Sequence, residues 1–333
     1  KGHMAIVAGN DSQLSFIRSY LPGISTISLE GYNVTYSQWN KFAQAGILAQ
    51  LPRLKKAIAS EHRWLQQIAG KLELDGVISD NRYGLYHSSI PSVILTHQLS
   101  IRTGFGAIAD KTVQQLHYSH LNRFGNTWVP DVPGIPNLAG GLSHTSPLPE
   151  HTRYIGLLSR FENDLLNAHK ASQKPLLILL SGPEPARSGL SSLLWQQAVQ
   201  HNGPVVFAEG SKDAAAPAHI PPHITWYHRL AGNELEQHLS NAAMVICRSG
   251  YSTLMDLAAL RKKAIIIPTP GQTEQEYLGK HLHALGIFFS TPQKGFSLQK
   301  ALAEAARFPF NTLPLEDAFT SYKPVLEDWL KSL

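Results

Sequence analysis

The 333-residue chain is 43% apolar and only 16% charged, a balance that supports buried cores and excludes a disordered chain. Its length exceeds what a single core ordinarily fills, so two domains are expected. The net charge of +5 comes from scattered Lys and Arg, densest at Arg261–Lys262–Lys263. That cluster is too short for a nucleic-acid patch, so the surplus points to phosphate ligands or an anionic membrane surface and not to nucleic acid.

Lys1–Gly2–His3 precedes an apolar run over 4–8 that stops at Gly9–Asn10–Asp11 and reads as a buried parallel strand. Gly2–His3 is either a cloning scar or the end of a helix running into that strand. On the second reading a strand, a loop and a helix precede Lys1. Residues 13–21 are helical and 24–29 strand-like, while 39–68 hold one or two long helices. Short β-branched strands follow at 76–79 and 92–96, then a helix over 113–124. Strands separated by helices imply βαβ units and a parallel sheet. Residues 129–149, with five prolines and three glycines, read as a linker or a loop-rich domain edge.

A second series begins with a strand at 176–180 and a helix at 190–200. Strands at 205–208 and 224–226 follow, then a helix at 232–239 and a strand at 244–247. Helix 253–260, strand 264–268 and helix 274–285 complete it, and 316–333 is an amphipathic terminal helix. Ligands of such doubly wound sheets sit beyond the carboxyl ends of the strands. The lone cysteine, Cys247, lies in an apolar strand and reads as a buried, inert thiol in a reducing compartment. No run approaches the ~18 apolar residues of a membrane span. With no signal peptide, a cytoplasmic location is expected, at most peripheral to the inner face of the membrane.

The chemistry concentrates after the strand at 244–247. Arg248–Ser249–Gly250 leads into a helix for which Ser252 is the expected N-cap, with Thr253 and Asp256 in its first turns. Free amides, the helix dipole and a glycine suit a phosphate, and Asp256 suits ribose hydroxyls. Ordinary capping is the competing explanation. The loop after the next strand offers Gln272, Gln275 and Glu276 to sugar hydroxyls; alternatively Thr273 is a simple N-cap and Glu274 to Glu276 a solvated first turn. Ser181–Gly182, after the first strand of the second series, is a third candidate phosphate turn, with Arg187 and Ser188 nearby. In the first half His97 and Asp80 both follow strands and suit a base and its orienter, although His97 is equally an ordinary loop histidine. There is neither CxxC nor HExxH, so no metal is expected.

Cys247–Arg–Ser–Gly–Tyr–Ser–Thr–Leu–Met–Asp256, followed by Pro268–Thr–Pro–Gly–Gln–Thr–Glu–Gln–Glu–Tyr277, resembles the donor-binding half of glycosyltransferase family 28. The resemblance covers about 176–290. It implies a GT-B α/β fold: two doubly wound Rossmann-like domains facing across a cleft, with a final helix crossing back to the first. The expected division is an acceptor-side domain over 1–155, a nucleotide-sugar domain over 156–313 and the returning helix over 314–333. In that family the Arg-Ser-Gly element, here Arg248 to Gly250, holds phosphate and backbone near the nucleotide; carried across, Ser249, Gly250 and Thr253 face a nucleotide diphosphate, Asp256 holds the ribose, and Gln275 with Glu276 holds the hexose. The family has Glu and Gln where this chain has Asp256 and Glu276. It also begins with a Gly-rich loop ending in Gly-His, whose His is the candidate base, and that loop is not found here. Gly31–Tyr32–Asn33–Val34 and Pro136–Asn137–Leu138–Ala139–Gly140 suggest a bacterial subgroup. The implied activity is metal-independent and needs no cofactor. It moves a hexosyl unit, such as N-acetylglucosamine, from a UDP-sugar to a glycan or lipid-linked acceptor. The rivals are a nucleotide-sugar 2-epimerase or hydrolase, and a catalytically silent sugar-nucleotide binder.

Overall fold

The computed structural model describes residues 2–30, 43–101, 106–161, 174–211, 213–313 and 317–333, with backbone alone at 43–51 and 107. Gly31 to Val34, the first residues of the helix expected from 39, and Glu316 lie outside the described residues.

The first half opens with β1 (Ile6–Gly9), α1 (Asp11–Tyr20) and β2 (Ser25–Ser28). Asn10 caps α1 by accepting from Gln13 N, while the Gln13 side chain returns a bond to Asn10 N. Next come α2 (Ala43–Ala69), β3 (Val77–Asp80), β4 (Ser92–Leu95), α3 (Ala107–Leu121), β5 (Asn126–Val129) and β6 (Thr152–Tyr154). β1 and β2 form a parallel pair, and β3-β4-β5-β6 form a separate parallel sheet in that order.

The region 129–149, expected to be a linker or a loop-rich domain edge, is a loop bracketed by two strands of this sheet. Its anchor is Asp131, fully buried, which accepts from the amides of Val132, Leu138 and Ala139 and from the Ser143 hydroxyl. A carboxylate with that many donors is stable in a dry interior, so the loop is folded although it has no periodicity.

The second half holds β7 (Leu176–Leu179), α4 (Ala186–Ala198), β8 (Val205–Ala208), β9 (Ile224–Tyr227), α5 (Gly232–Asn241) and β10 (Met244–Cys247). It continues with α6 (Tyr251–Ala259), β11 (Ala264–Ile266), α7 (Thr273–Ala284), β12 (Phe289–Ser290) and α8 (Leu298–Ala305). Its strands form one parallel sheet in the order β12-β11-β10-β7-β8-β9. Chain order reverses between β7 and β10. Leu190, Leu194 and Ala198 of α4 pack into the core on one face, and Leu254, Met255 and Leu257 of α6 into the core on the other. This is the doubly wound arrangement, and its crevice lies at the reversal. Cys247 is buried, and burial pushes its thiol up to about 12, so it stays protonated and inert.

The terminal helix α9 (Tyr322–Lys331) crosses back to the first half. Val325 packs among Val93, Trp128 and Ile155, and Trp329 meets Trp128 edge-on at 5.8 Å. Among the described residues no helix is long and apolar enough to cross a membrane.

The return path is fastened where Leu157 N donates to Ala318 O at 2.8 Å. Gly156 sits at φ +79, and a Cβ there would lie 2.0 Å from that same carbonyl. Strained backbone and a backbone clash act together, so Gly156→Ala is expected to cost at least about 3 kcal/mol in chemical unfolding. A variant unfolding like the parent would show that the fastening has slack.

Candidate functional site

Three loops converge at the crevice of the second sheet: those after β7, β10 and β11. Arg248, the residue after β10, holds them together. Its side chain is buried, with Nη1 donating to Ile267 O and Pro268 O at 3.2 Å and Nη2 to Ala186 O at 2.8 Å. Burial lowers its pKa only to about 10, so it remains a cation at neutral pH. These three acceptors are carbonyls, dipoles that orient the charge without cancelling it. Ser249 is fully buried and donates to Gln275 O at 2.9 Å. Gln275 Oε1 accepts from Thr269 N, and Glu276 Oε1 from Gly271 N at 2.7 Å. Arg248, Ser249, Gln275 and Glu276 therefore bind protein backbone, and what they build is the shape of the loops.

The N-cap of α6 is Gly250, with no side-chain cap, and not Ser252 as expected. A helix can start here because Tyr251 supplies a buried anchor, its hydroxyl donating to Pro130 O at 2.8 Å, so no capping hydroxyl is needed to hold the turn. Ser252 is exposed in the first turn and Thr253 half-buried beside it. An uncapped first turn leaves amides unsatisfied within the helix, together with the positive end of the dipole. A Cβ placed on Gly250 would meet nothing within 4 Å, and the same holds at Gly182 in the turn after β7. Ser181 and Gly182 are exposed on the loop leading into α4, whose N-cap Pro185 also makes no side-chain cap. Gln272 is the N-cap of α7, again without a side-chain bond.

Asp256 has partners within the protein. It is 5% exposed, and Oδ2 accepts from Arg160 Nε and Nη2 at 2.9 and 2.8 Å while Oδ1 accepts from Ser159 Oγ at 2.9 Å. The expected ribose acceptor is thus engaged by the segment joining the two sheets. Arg160 also donates to Tyr20 OH at 3.1 Å and lies over the Phe16 and Tyr20 rings of α1. Sequence reading missed Arg160 because it lies 96 residues from its partner.

In the first half, His97 follows β4 and Asp80 ends β3, as expected. Burial raises the Asp80 pKa although its side chain reaches solvent, and the nearby His97 pulls the other way. The hydrogen-bond partner of His97 is on the other half: Nε2 lies 2.9 Å from Glu274 Oε1 in the first turn of α7. The imidazole also stacks on Tyr251 at 4.1 Å with planes 12° apart. Glu274 had read as a solvated first-turn acid, and it is instead part of the contact between the two halves. The 136–141 loop adds to that contact, with Gly141 N donating to Tyr277 OH at 2.7 Å.

Residues 223–320 match the model of the glycosyltransferase family 28 C-terminal domain. The matched residues run from the strand before α5 to the segment before α9. A curated relative, the UDP-N-acetylglucosamine–N-acetylmuramyl-(pentapeptide) pyrophosphoryl-undecaprenol N-acetylglucosamine transferase of Methylorubrum extorquens, is 34% identical over 73 residues. That match spans 21% of this chain and 20% of the relative. The counterpart in Methylobacterium nodulans is 33% identical over the same length. Among solved structures, the glycosyltransferase SnogD from Streptomyces nogalater aligns with TM-score 0.64 at 14% identity, covering 100% of this chain and 92% of that one. Acinetobacter baumannii MurG aligns with TM-score 0.53 at 15% identity, over 100% and 92%. At such identities the likeness is one of fold, and that fold is GT-B. Of the three loops that Arg248 joins, those after β10 and β11 lie within the matched residues and the one after β7 lies outside them.

The loop carrying His97 rests on a buried histidine. His117 Nε2 lies 2.9 Å from Gln98 O, which can only accept, so Nε2 carries the proton and Nδ1 accepts from Tyr83 OH at 2.9 Å. Burial lowers the His117 pKa from 6.5 to about 4. Between those values the unfolded chain binds the extra proton, so the stabilising contribution is complete above pH 6.5 and is lost as pH falls toward about 4. The expected loss is at most roughly 3 kcal/mol, at about 1.4 kcal/mol per pH unit. Urea unfolding between pH 7.5 and 4.5 should show this slope in the parent and a shallower one in His117→Gln. Equal slopes would remove His117 as its source.

Proposed function

We propose that the crevice beside α6 binds the diphosphate of a nucleoside diphosphate sugar and that the protein transfers the hexosyl unit to an acceptor hydroxyl. The observation that carries this reading is the buried Arg248 cation, bonded to carbonyls, behind an uncapped helix start with open space at Gly250. A cation and the free amides of a nearby helix start favour a dianionic leaving group. Ser181, Gly182, Ser252 and Thr253 are assigned to it as further donors. Gln272, with the Gln275 amide and Glu276 beside it, takes the sugar end. Asp256 acts on the ribose side through the Arg160–Ser159 assembly.

Because the helix end and Arg248 stabilise the departing diphosphate, the reaction as proposed needs no metal and no cofactor, and EDTA leaves turnover unchanged. The acceptor enters from the first half, where His97 serves as the base. UDP-linked N-acetylglucosamine is the favoured donor and a lipid-linked glycan the favoured acceptor, by analogy with the named Methylorubrum relative. A positively charged chain approaching a membrane surface fits that acceptor. The 2-epimerase reading has no counterpart among the relatives and structures named above.

UDP should protect the protein against thermal unfolding, by about 2.7 kcal/mol at a hundred times its Kd. Gly250 has φ −72 and ψ 133, which any residue adopts, so Gly250→Val should fold like the parent while its side chain fills the phosphate space. The expected result is an unchanged Tm without nucleotide and no protection with it. If millimolar UDP fails to protect the parent, the reading is wrong.

A further inference from the structure

The base proposed for the acceptor hydroxyl has its partner on the opposite half of the molecule. His97 belongs to the loop after β4 and Glu274 to the first turn of α7, next to the loop assigned to the sugar. Their side chains are 20% and 22% exposed, and Nε2 and Oε1 are 2.9 Å apart. At neutral pH a carboxylate only accepts, so the hydrogen of this bond sits on Nε2. The neutral imidazole then has its lone pair on Nδ1, for which the described residues record no partner. Tyr251 fixes the plane of the ring by stacking at 4.1 Å, and Tyr251 is itself the first residue of the donor helix. Tautomer and ring plane are therefore both set by the half that holds the donor.

We infer that Glu274 is a positioning residue that holds His97 as an Nδ1 base, so that the acceptor is activated only where the two halves meet around the donor. This rests on the proposed transfer reaction. In the step, the acceptor O–H proton passes to Nδ1 while the acceptor oxygen bonds the anomeric carbon. The bond from that carbon to the diphosphate oxygen breaks, and its electron pair leaves with the diphosphate. The Nε2–H bond to Glu274 stabilises the imidazolium that forms, and the proton is then released to solvent. The logic is that of a His–carboxylate dyad, with its two members contributed by separate domains. Asp80, also near the ring, adds negative charge without a recorded hydrogen bond to it.

The test uses the full chain with 15N-labelled histidine, together with release of UDP from UDP-N-acetylglucosamine with water as acceptor. A His97→Asn variant assigns the His97 signals. The parent should show His97 as the Nε2–H tautomer, and Glu274→Ala should lose that preference while UDP protection stays at the parent's level. In turnover, His97→Asn and Glu274→Ala should each lower kcat about 100-fold with KM little changed, the double variant no further, and Glu274→Asp should recover part of the loss. A parent spectrum showing the Nδ1–H tautomer, or a Glu274→Ala enzyme with parental kcat, overturns the inference. Loss of UDP protection in the parent instead overturns the donor reading, and the tautomer spectrum separates the two failures.

Discussion

Three loops of the second sheet keep their shape because one guanidinium, that of Arg248, donates to a carbonyl at the start of α4 and to two at the end of β11. A charge in a dry interior costs several kcal/mol unless dipoles or a counter-ion meet it. Here carbonyls meet it, and this choice has a consequence. A carboxylate partner would have neutralised the crevice. Carbonyl dipoles satisfy the donors and leave the field of the cation in place. Ser249, also buried, ties the same loop to α7 through Gln275 O. The residues that most resemble a ligand-binding motif thus act mainly as framework, and under the proposed function the ligand-facing groups would be the backbone amides beside them.

This division explains what could be read from the sequence. Strands such as 205–208 and 244–247 match to the residue because a parallel strand covered on both faces is a short continuous apolar run. The start of α6 was placed two residues late because a serine is the usual cap, while the actual start is held by the Tyr251 hydroxyl on Pro130 O, a contact 121 residues away in the chain. β5 and β6 escaped notice for a related reason. The loop between them has no periodicity, and its order comes from Asp131 collecting amides, which no local pattern announces. Among the candidate site residues, identity and neighbourhood were legible, but direction was not. A motif tells which side chains cluster, and only three-dimensional packing tells whether Gln275 points to a sugar or to Thr269 N.

The two halves share an apolar core, in which Leu138, Ala139 and Leu142 belong to one buried cluster with Leu254, Leu278 and Leu282, and polar contacts accompany it. Gly141 meets Tyr277, His97 meets Glu274, and Arg160 meets Asp256 while touching α1. The covalent path and α9 also join the halves. Trp329 against Trp128 and the Gly156 fastening are apolar or sterically tight, so the returning helix is held firmly to the first half.

Asp256 lies at the junction of the halves. Its carboxylate already takes two bonds from Arg160 and one from Ser159, and removing one member of such a buried pair typically costs about 3–5 kcal/mol. Two ribose hydroxyls bonding a carboxylate would return roughly 1.5–3 kcal/mol each, about what losing Arg160 would cost. If the proposed donor occupies the crevice, the cheaper exchange keeps Arg160 on Asp256 and uses the remaining acceptor capacity of Oδ1, where the single competing bond comes from the smaller and more easily turned Ser159 hydroxyl. On that proposal Asp256 would serve the nucleotide without giving up Arg160, the residue that also ties α6 to α1.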